Sequence, residues 1–300
     1  MASTPLPVLE TIPPLDPNFL NLNQEESEFF KALTGITDGD ILRQHIIDVQ
    51  AKAYQIYYYP CIRLFGFTNL KISRLPAYNN AIYLRSIRPD AILLDVGCCF
   101  GNDLRKAILD GWPVQNTIGT DLEEGFWQYG HELFKSSPAT FQAGFVAGDI
   151  FSDTLTPPCE PFYEAPSTVR PASLRNLQSL SPLQGHISAI HASSLFHLFD
   201  EDKQASLAKR LASLLSPEPG SMIFGSHGGL PEKGNRLEIP NSSMFCHSPE
   251  SWKDLWDGQV FSKGSVRVDV QLKLIEKSGL QIFSKGEGKF YLLLWSVTRL

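Results

Sequence analysis

No stretch of this 300-residue chain is apolar for long enough to cross a bilayer; its hydrophobic runs have the length of buried strands. Cysteine is scarce, at five residues, with no C-x-x-C pair among them. That gives no zinc signature and suits a reducing compartment, so the cytosol is the expected location. Basic residues are in deficit: 26 lysines and arginines against 32 acidic residues leave a net charge of −6. Such a balance argues against a surface built to neutralise phosphates, and nucleic acid is not expected as a partner. The first residues, Met1-Ala2-Ser3-Thr4-Pro5, lack a basic segment followed by an apolar core, so no secretory signal is expected. No internal repeat is present.

Core-forming side chains, in contrast, are plentiful: 43% of the residues are hydrophobic, ample for a large α/β domain. Residues 1–23, rich in proline and polar groups, read as an arm lying on the surface or across a partner. Up to residue 87 the chain reads mainly as helices, which makes 1–87 an arm with a helical lid or substrate region. Glu25, Glu26 and Glu28 crowd an expected first helical turn, Ile41 to Val49 mark an amphipathic stretch, and Ala53 to Tyr59 continue it. From 88 to 300 strands and helices alternate. Strands are expected over Ile92–Val96, Thr117–Asp121, Phe145–Ile150, Ile187–Ala192, Ser221–Ser226 and Phe290–Val297. Helices are expected over Leu104–Leu109, Phe126–Phe134, Lys203–Leu215 and, late in the chain, Val266–Ser278. Such alternation implies a mostly parallel sheet covered on both faces, with the last strand free to run antiparallel. The proline-rich segment 152–184 interrupts this pattern; a loop of that length is expected to be a lid controlling substrate access or a disordered segment.

The most informative stretch is Leu93-Leu94-Asp95-Val96-Gly97-Cys98-Cys99-Phe100-Gly101. A buried strand breaks into a glycine-bearing turn and a helix follows, the arrangement that lets backbone N–H groups approach a nucleotide cofactor. A dinucleotide fingerprint, G-x-G-x-x-G, would need glycines at 97, 99 and 102, but Cys99 and Asn102 stand there. Asp121 ends the second strand, with Leu122 beside it, where a carboxylate can accept from both ribose hydroxyls; alternatively it caps a helix. Asp149, with Ile150, follows the third strand in a Gly-Asp pair that could equally form an ordinary turn. Asp95 could serve the turn's own N–H groups or present charge to a cofactor amino group. A nicotinamide oxidoreductase and a non-catalytic binding protein of the same fold stay open on these residues alone.

Asp95-x-Gly97-x-x-x-Gly101 resembles the first motif of class I methyltransferases, which bind S-adenosylmethionine. The segments Leu93–Asp103, Ile118–Glu123, Gly148–Phe151 and Ile190–Phe199 (I-H-A-S-S-L-F-H-L-F) are similar to a fungal family of natural-product methyltransferases that includes O-methyltransferases of meroterpenoid pathways, several acting on carboxyl groups. The resemblance spans about residues 50–300. It implies a Rossmann-like class I α/β fold with a mostly parallel seven-stranded sheet, S-adenosylmethionine as cofactor and a small hydrophobic terpenoid or polyketide acceptor. Gly97, Cys98, Cys99, Gly101, Asp95, Asp121, Leu122, Asp149 and Ile150 would then hold the cofactor. Homodimerisation is left open.

Acceptor-side candidates are aromatic residues and histidines. His191 and His197, near the end of the fourth strand and the start of the next helix, could take a proton from an attacking hydroxyl, or could be structural. A carboxylate acceptor would need no base. His227, after the fifth strand, is a third candidate, for substrate contact. Tyr54, Tyr57 and Tyr58 would share one helix face at i, i+3 and i+4. There Tyr58 could close over the cofactor's sulfonium and Tyr54 and Tyr57 could face the substrate, or all could pack in the core. Trp252 and Trp256, four apart, either line the acceptor pocket or pack internally. Cys98 and Cys99 are read as loop packing, not nucleophiles.

Overall fold

A computed structural model describes residues 12–239, 242–275 and 289–300. Met1 to Thr11, including the segment read for a secretory signal, and residues 276–278 of the expected late helix lie outside the described residues.

The N-terminal helices form where their caps direct. Helix α1 (Gln24–Thr34) opens with a capping box, Asn23 accepting from the Glu26 amide while Glu26 accepts from that of Asn23, and it ends at Gly35 in the left-handed region. Helix α2 (Gly39–Tyr54) is capped by Asp38, whose carboxylate accepts from the amides of Asp40 and Ile41. It stops at Tyr54, short of the expected Tyr59. Pro60 restricts the residue before it to extended backbone and starts the short helix α3 (Pro60–Arg63) instead. Tyr57 and Tyr58 therefore stand beyond the helix, and the three tyrosines share no helix face. The arm lies along this region: Arg43 donates to the carbonyls of Pro17 and Leu20, and the Tyr54 hydroxyl donates to Pro13 O at 3.0 Å. Phe29, Phe30, Ile46 and Val49 share one apolar cluster with Phe100, Phe126 and Phe134, so the N-terminal helices are seated on the elements that follow. Helix α4 (Tyr78–Ile87) leads into the sheet.

Of strands β1 (Leu93–Val96), β2 (Thr117–Asp121), β3 (Gly144–Ala147), β4 (Ala189–His191) and β5 (Met222–Gly229), helix α5 (Asn102–Leu109) joins the first two, α6 (Glu124–Leu133) joins β2 to β3, the proline-rich segment joins β3 to β4, and α7 (Glu201–Leu214) joins β4 to β5. Two short strands, β6 (Gly234–Ile239) and β7 (Ser242–Cys246), pair antiparallel as a separate hairpin before helix α8 (Pro249–Trp256). Strands β8 (Val266–Ile275) and β9 (Phe290–Arg299) close the order β3-β2-β1-β4-β5-β9-β8. Only β9 runs against its neighbours: β5 and β8 both pair with it antiparallel, while the pairs on the other side of β5 are parallel. The expected late helix is thus a strand. Val266, Val268, Val270 and Leu272 alternate with Arg267, Asp269, Gln271 and Lys273, which is the strand period, and β-branched side chains favour it.

The proline-rich segment is not disordered, and beyond Leu155, which packs beside Gly148 just past β3, it lies away from the ligand end. Leu155, Leu174, Leu180 and Leu183 are buried in the sheet's main apolar cluster. Arg210 at the end of α7 donates to Thr156 O and pairs with Asp153, and Arg299 at the end of β9 donates to Phe162 O at 2.8 Å. Leu174 lies so close to the start of β3 that a Cβ built on Gly144 would stand 2.4 Å from Leu174 O. The segment therefore packs toward the N-terminal ends of the parallel strands, away from the turn at 97–101. Gly144→Ala should lower stability by about 1–3 kcal/mol through overpacking, read by urea unfolding, while cofactor affinity stays unchanged. A variant as stable as the parent would contradict this docking.

Candidate active site

The parallel strands β1, β2 and β4 end side by side, and their C-terminal ends carry the chemistry. After β1 the backbone turns through Gly97 (φ 70°), Cys99 (φ 51°) and Gly101 (φ 73°). The first and last need glycine's freedom; Cys99 accepts an unfavourable conformation because it is held. Its amide donates to the Asp121 carboxylate at 2.8 Å, while the amides of Gly97 and Cys98 donate to Thr120 O. Asp121 also accepts from the Glu123 amide at 3.1 Å. Burial pushes the Asp121 carboxyl up, against the pull of the Glu123 and Cys99 amides. Each oxygen still has a lone pair available for a further donor. Burial likewise pushes the Cys98 and Cys99 thiols far up, which keeps them protonated and unreactive.

Register then pairs two residues distant in sequence. Asp95 of β1 lies opposite His191 of β4, and Asp95 Oδ1 accepts from His191 Nδ1 at 2.8 Å. His191 Nε2 lies 2.7 Å from the Ser193 hydroxyl, so both ring nitrogens are engaged. Burial disfavours the charged imidazole, but the Asp95 carboxylate outweighs it by charge and hydrogen bond and holds His191 above the ordinary histidine range. Asp95 Oδ2 is buried with no partner. An orphaned carboxylate oxygen at a cleft wall fits a cationic ligand group such as the ammonium at the methionine end of S-adenosylmethionine.

These groups line one narrow cleft of about 40 Å³, with Gly97, Cys98, Cys99, Asp95, His191 and Ser193 on one side and Gly66, Phe67, Asn69 and Lys71 on the other. The second wall comes from the N-terminal region. Asn102 donates to Phe67 O, and Asp103 accepts from the Ile72 amide at 2.8 Å. A larger cleft, about 280 Å³, lies at the opposite end of the sheet between Asn116, Gln142, Arg170 and Arg175, remote from the turn.

Of the other expected site residues, Leu122 is exposed just past β2. Asp149 accepts from the Phe151 amide at 2.9 Å just past β3, with Ile150 buried beside it. Tyr57 packs against Tyr59 with ring centroids 4.2 Å apart, and Tyr58 stands 38% exposed. His197 is half-buried and pulled down to about 4 by burial. Its neighbourhood includes Met244 of the β6–β7 hairpin, since a Cβ on Gly228 would meet Met244 Sδ at 2.9 Å and His197 Cβ at 3.9 Å.

Four expectations are corrected. Trp252, Trp256 and His227 are fully buried in one aromatic cluster with Phe196 and Trp295, and Trp295 Nε1 donates to His227 Nδ1 at 2.9 Å. Tyr54 is 3% exposed and ties down the arm. None of the four presents a surface to an acceptor. Helix α8 lays its tryptophans on β9 because their spacing forms its apolar stripe. Conversely, Lys71, Asn69, Asp103 and Ser193 line the cleft without having been expected. Ser193 sits inside the Ile190–Ser194 segment (I-H-A-S-S); nothing in the local sequence marks Lys71.

A sheet of order β3-β2-β1-β4-β5-β9-β8 with β9 antiparallel, a glycine turn after the first strand and an acid ending the second define a class I S-adenosylmethionine-dependent methyltransferase. A sequence profile described as "Meroterpenoid methyltransferase N-terminal domain" matches residues 15–68. The chain is 34% identical over 230 residues to O-methyltransferase phiE of a fungal species (strain ATCC 74256), covering 76% of this chain and 68% of that protein. It is 29% identical over 279 residues to the asnovolin E/chermesin D methyltransferase nvfJ of Aspergillus novofumigatus, covering 93% and 90%. The chain belongs to this family of fungal secondary-metabolite methyltransferases. Among solved structures, a 1,6-didemethyltoxoflavin-N1-methyltransferase of Burkholderia thailandensis is similar over 88% of this chain and 91% of its own, at 11% identity and a TM-score of 0.48. Among the described residues no helix is long and apolar enough to cross a membrane.

Proposed function

We propose that this enzyme methylates a carboxylate of a small hydrophobic secondary metabolite, a terpenoid, meroterpenoid or polyketide, in the cytosol, where few cysteines and no C-x-x-C pair suit a reducing environment. The cofactor supplies an electrophilic methyl carbon on a sulfonium. The protein's own groups bind and orient. Asp121 accepts from the ribose hydroxyls with the lone pairs that Cys99 and Glu123 leave free. Leu122, Asp149 and Ile150 flank the adenine, the backbone of Gly97 to Gly101 approaches the nucleoside, and Asp95 Oδ2 takes the ammonium.

The observation that carries the carboxylate reading is the state of the two histidines. His191 has both nitrogens committed, to Asp95 and Ser193, and His197, at about 4, is too weak a base to take a hydroxyl proton. A carboxylate is already ionised at neutral pH, so alignment and exclusion of water are enough. A second reading rests on the same geometry. The hydrogen bonds from Ser193 through His191 to Asp95 could pass a hydroxyl acceptor's proton inward, Asp95 stabilising the imidazolium. Incubation with labelled S-adenosylmethionine and a fungal metabolite extract, followed by mass spectrometry, identifies the acceptor. At saturating cofactor, Ser193→Ala should keep kcat within about threefold with a flat profile from about pH 6 to 9. A loss beyond a hundredfold, with the low-pH limb of the profile gone, would establish the relay instead.

A further inference from the structure

The cleft wall built by the N-terminal region carries a single positive charge. Lys71 is the only lysine or arginine among the residues lining the cleft. Its neighbours Leu70 and Ile72 are fully buried, and the Ile72 amide is tied to Asp103, so the backbone at Lys71 has little freedom to swing away. The carbonyl of Lys71 accepts from the Arg74 amide at 3.1 Å, which fixes the turn from the other side. Among the described residues the ammonium of Lys71 makes no hydrogen bond or ion pair, although its charge is felt at Asp103, His191 and His197. A cation thus lines the same cleft as the unpartnered Asp95 Oδ2. An unpaired donor and an unpaired acceptor across one narrow space complement a group carrying both an anion and a cation, as an α-amino acid does.

Resting on the S-adenosylmethionine reading above, we propose that Lys71 binds the α-carboxylate at the methionine end of the cofactor, with Asp95 taking the ammonium beside it. The helical N-terminal region is then part of the cofactor site, and the residues immediately after the segment 15–68 complete it.

Two ligands separate this role from a merely structural one: S-adenosylhomocysteine, which has the carboxylate, and its decarboxylated analogue, which keeps the amine and nucleoside. Calorimetry should show Lys71→Ala weakening S-adenosylhomocysteine by about tenfold to a hundredfold while the decarboxylated analogue binds it as it binds the parent. Lys71→Arg should retain most of the affinity, and Lys71→Met, which keeps the apolar stem, should behave as the alanine variant even if the latter folds poorly. Equal losses for both ligands would make Lys71 a structural residue and overturn the proposal. So would unchanged affinity for both, including a result in which only the acceptor KM rises. If the parent enzyme bound neither ligand, the cofactor reading itself would fall, and this assignment with it.

Discussion

Replacing Asp121 by alanine should weaken S-adenosylhomocysteine binding by about a hundredfold to ten-thousandfold, measured by calorimetry. Two effects combine. Charge-assisted hydrogen bonds to the ribose are worth about 1.5–3 kcal/mol each, and the variant loses the acceptor for both hydroxyls. It also releases the glycine turn, because the Cys99 amide, in a conformation a non-glycine residue seldom adopts, is held at 2.8 Å by that carboxylate. Asp121→Asn separates the contributions: its amide oxygen can still accept from Cys99, so it should retain turn geometry and lose mainly the charge. Affinity unaltered in the alanine variant would sink the ribose assignment.

The second large effect is expected in stability. His191→Ala leaves the Asp95 carboxylate buried with neither oxygen partnered, and breaking a buried pair from one side costs about 3–5 kcal/mol. Urea unfolding should register that loss as a lower midpoint without a change in slope. The pair also sets a pH dependence. Because His191 is held above its ordinary value in the folded state, its contribution is complete below the unfolded value of about 6.5 and fades as pH rises through the folded one. Unfolding free energies measured at a series of pH values should fall on the alkaline side in the parent and run flatter in His191→Gln. An identical slope in both proteins would mean that His191 is not charged by Asp95.

Much of this site could be read along the chain because it is local. A strand that breaks at Gly97 and a helix that restarts at Asn102 are separated by one turn, so the cradle follows from five consecutive residues and the φ values only glycine adopts freely. Asp121 announces itself by ending an apolar strand. Strand β8 is legible too, in the two-residue alternation of its valines with charged and polar residues. Tryptophan spacing in α8 was ambiguous by nature, since an apolar stripe on a helix looks the same whether it meets a substrate or a sheet.

What the amino-acid sequence determined by itself is therefore the glycine turn, the acids at the strand ends and the alternation that builds the sheet. All of these arise from short-range periodicity and backbone preference. Only the tertiary structure decided what those groups meet. Parallel register set Asp95 against His191 across 96 residues and closed the ring's second nitrogen on Ser193. Packing drew Trp252, Trp256 and His227 into the interior, and two hydrogen bonds to the first turn of α5 brought Lys71 to the cleft. The physical reason is the same in each case: the partners are far apart in the chain, and burial and charge act on neighbours in space.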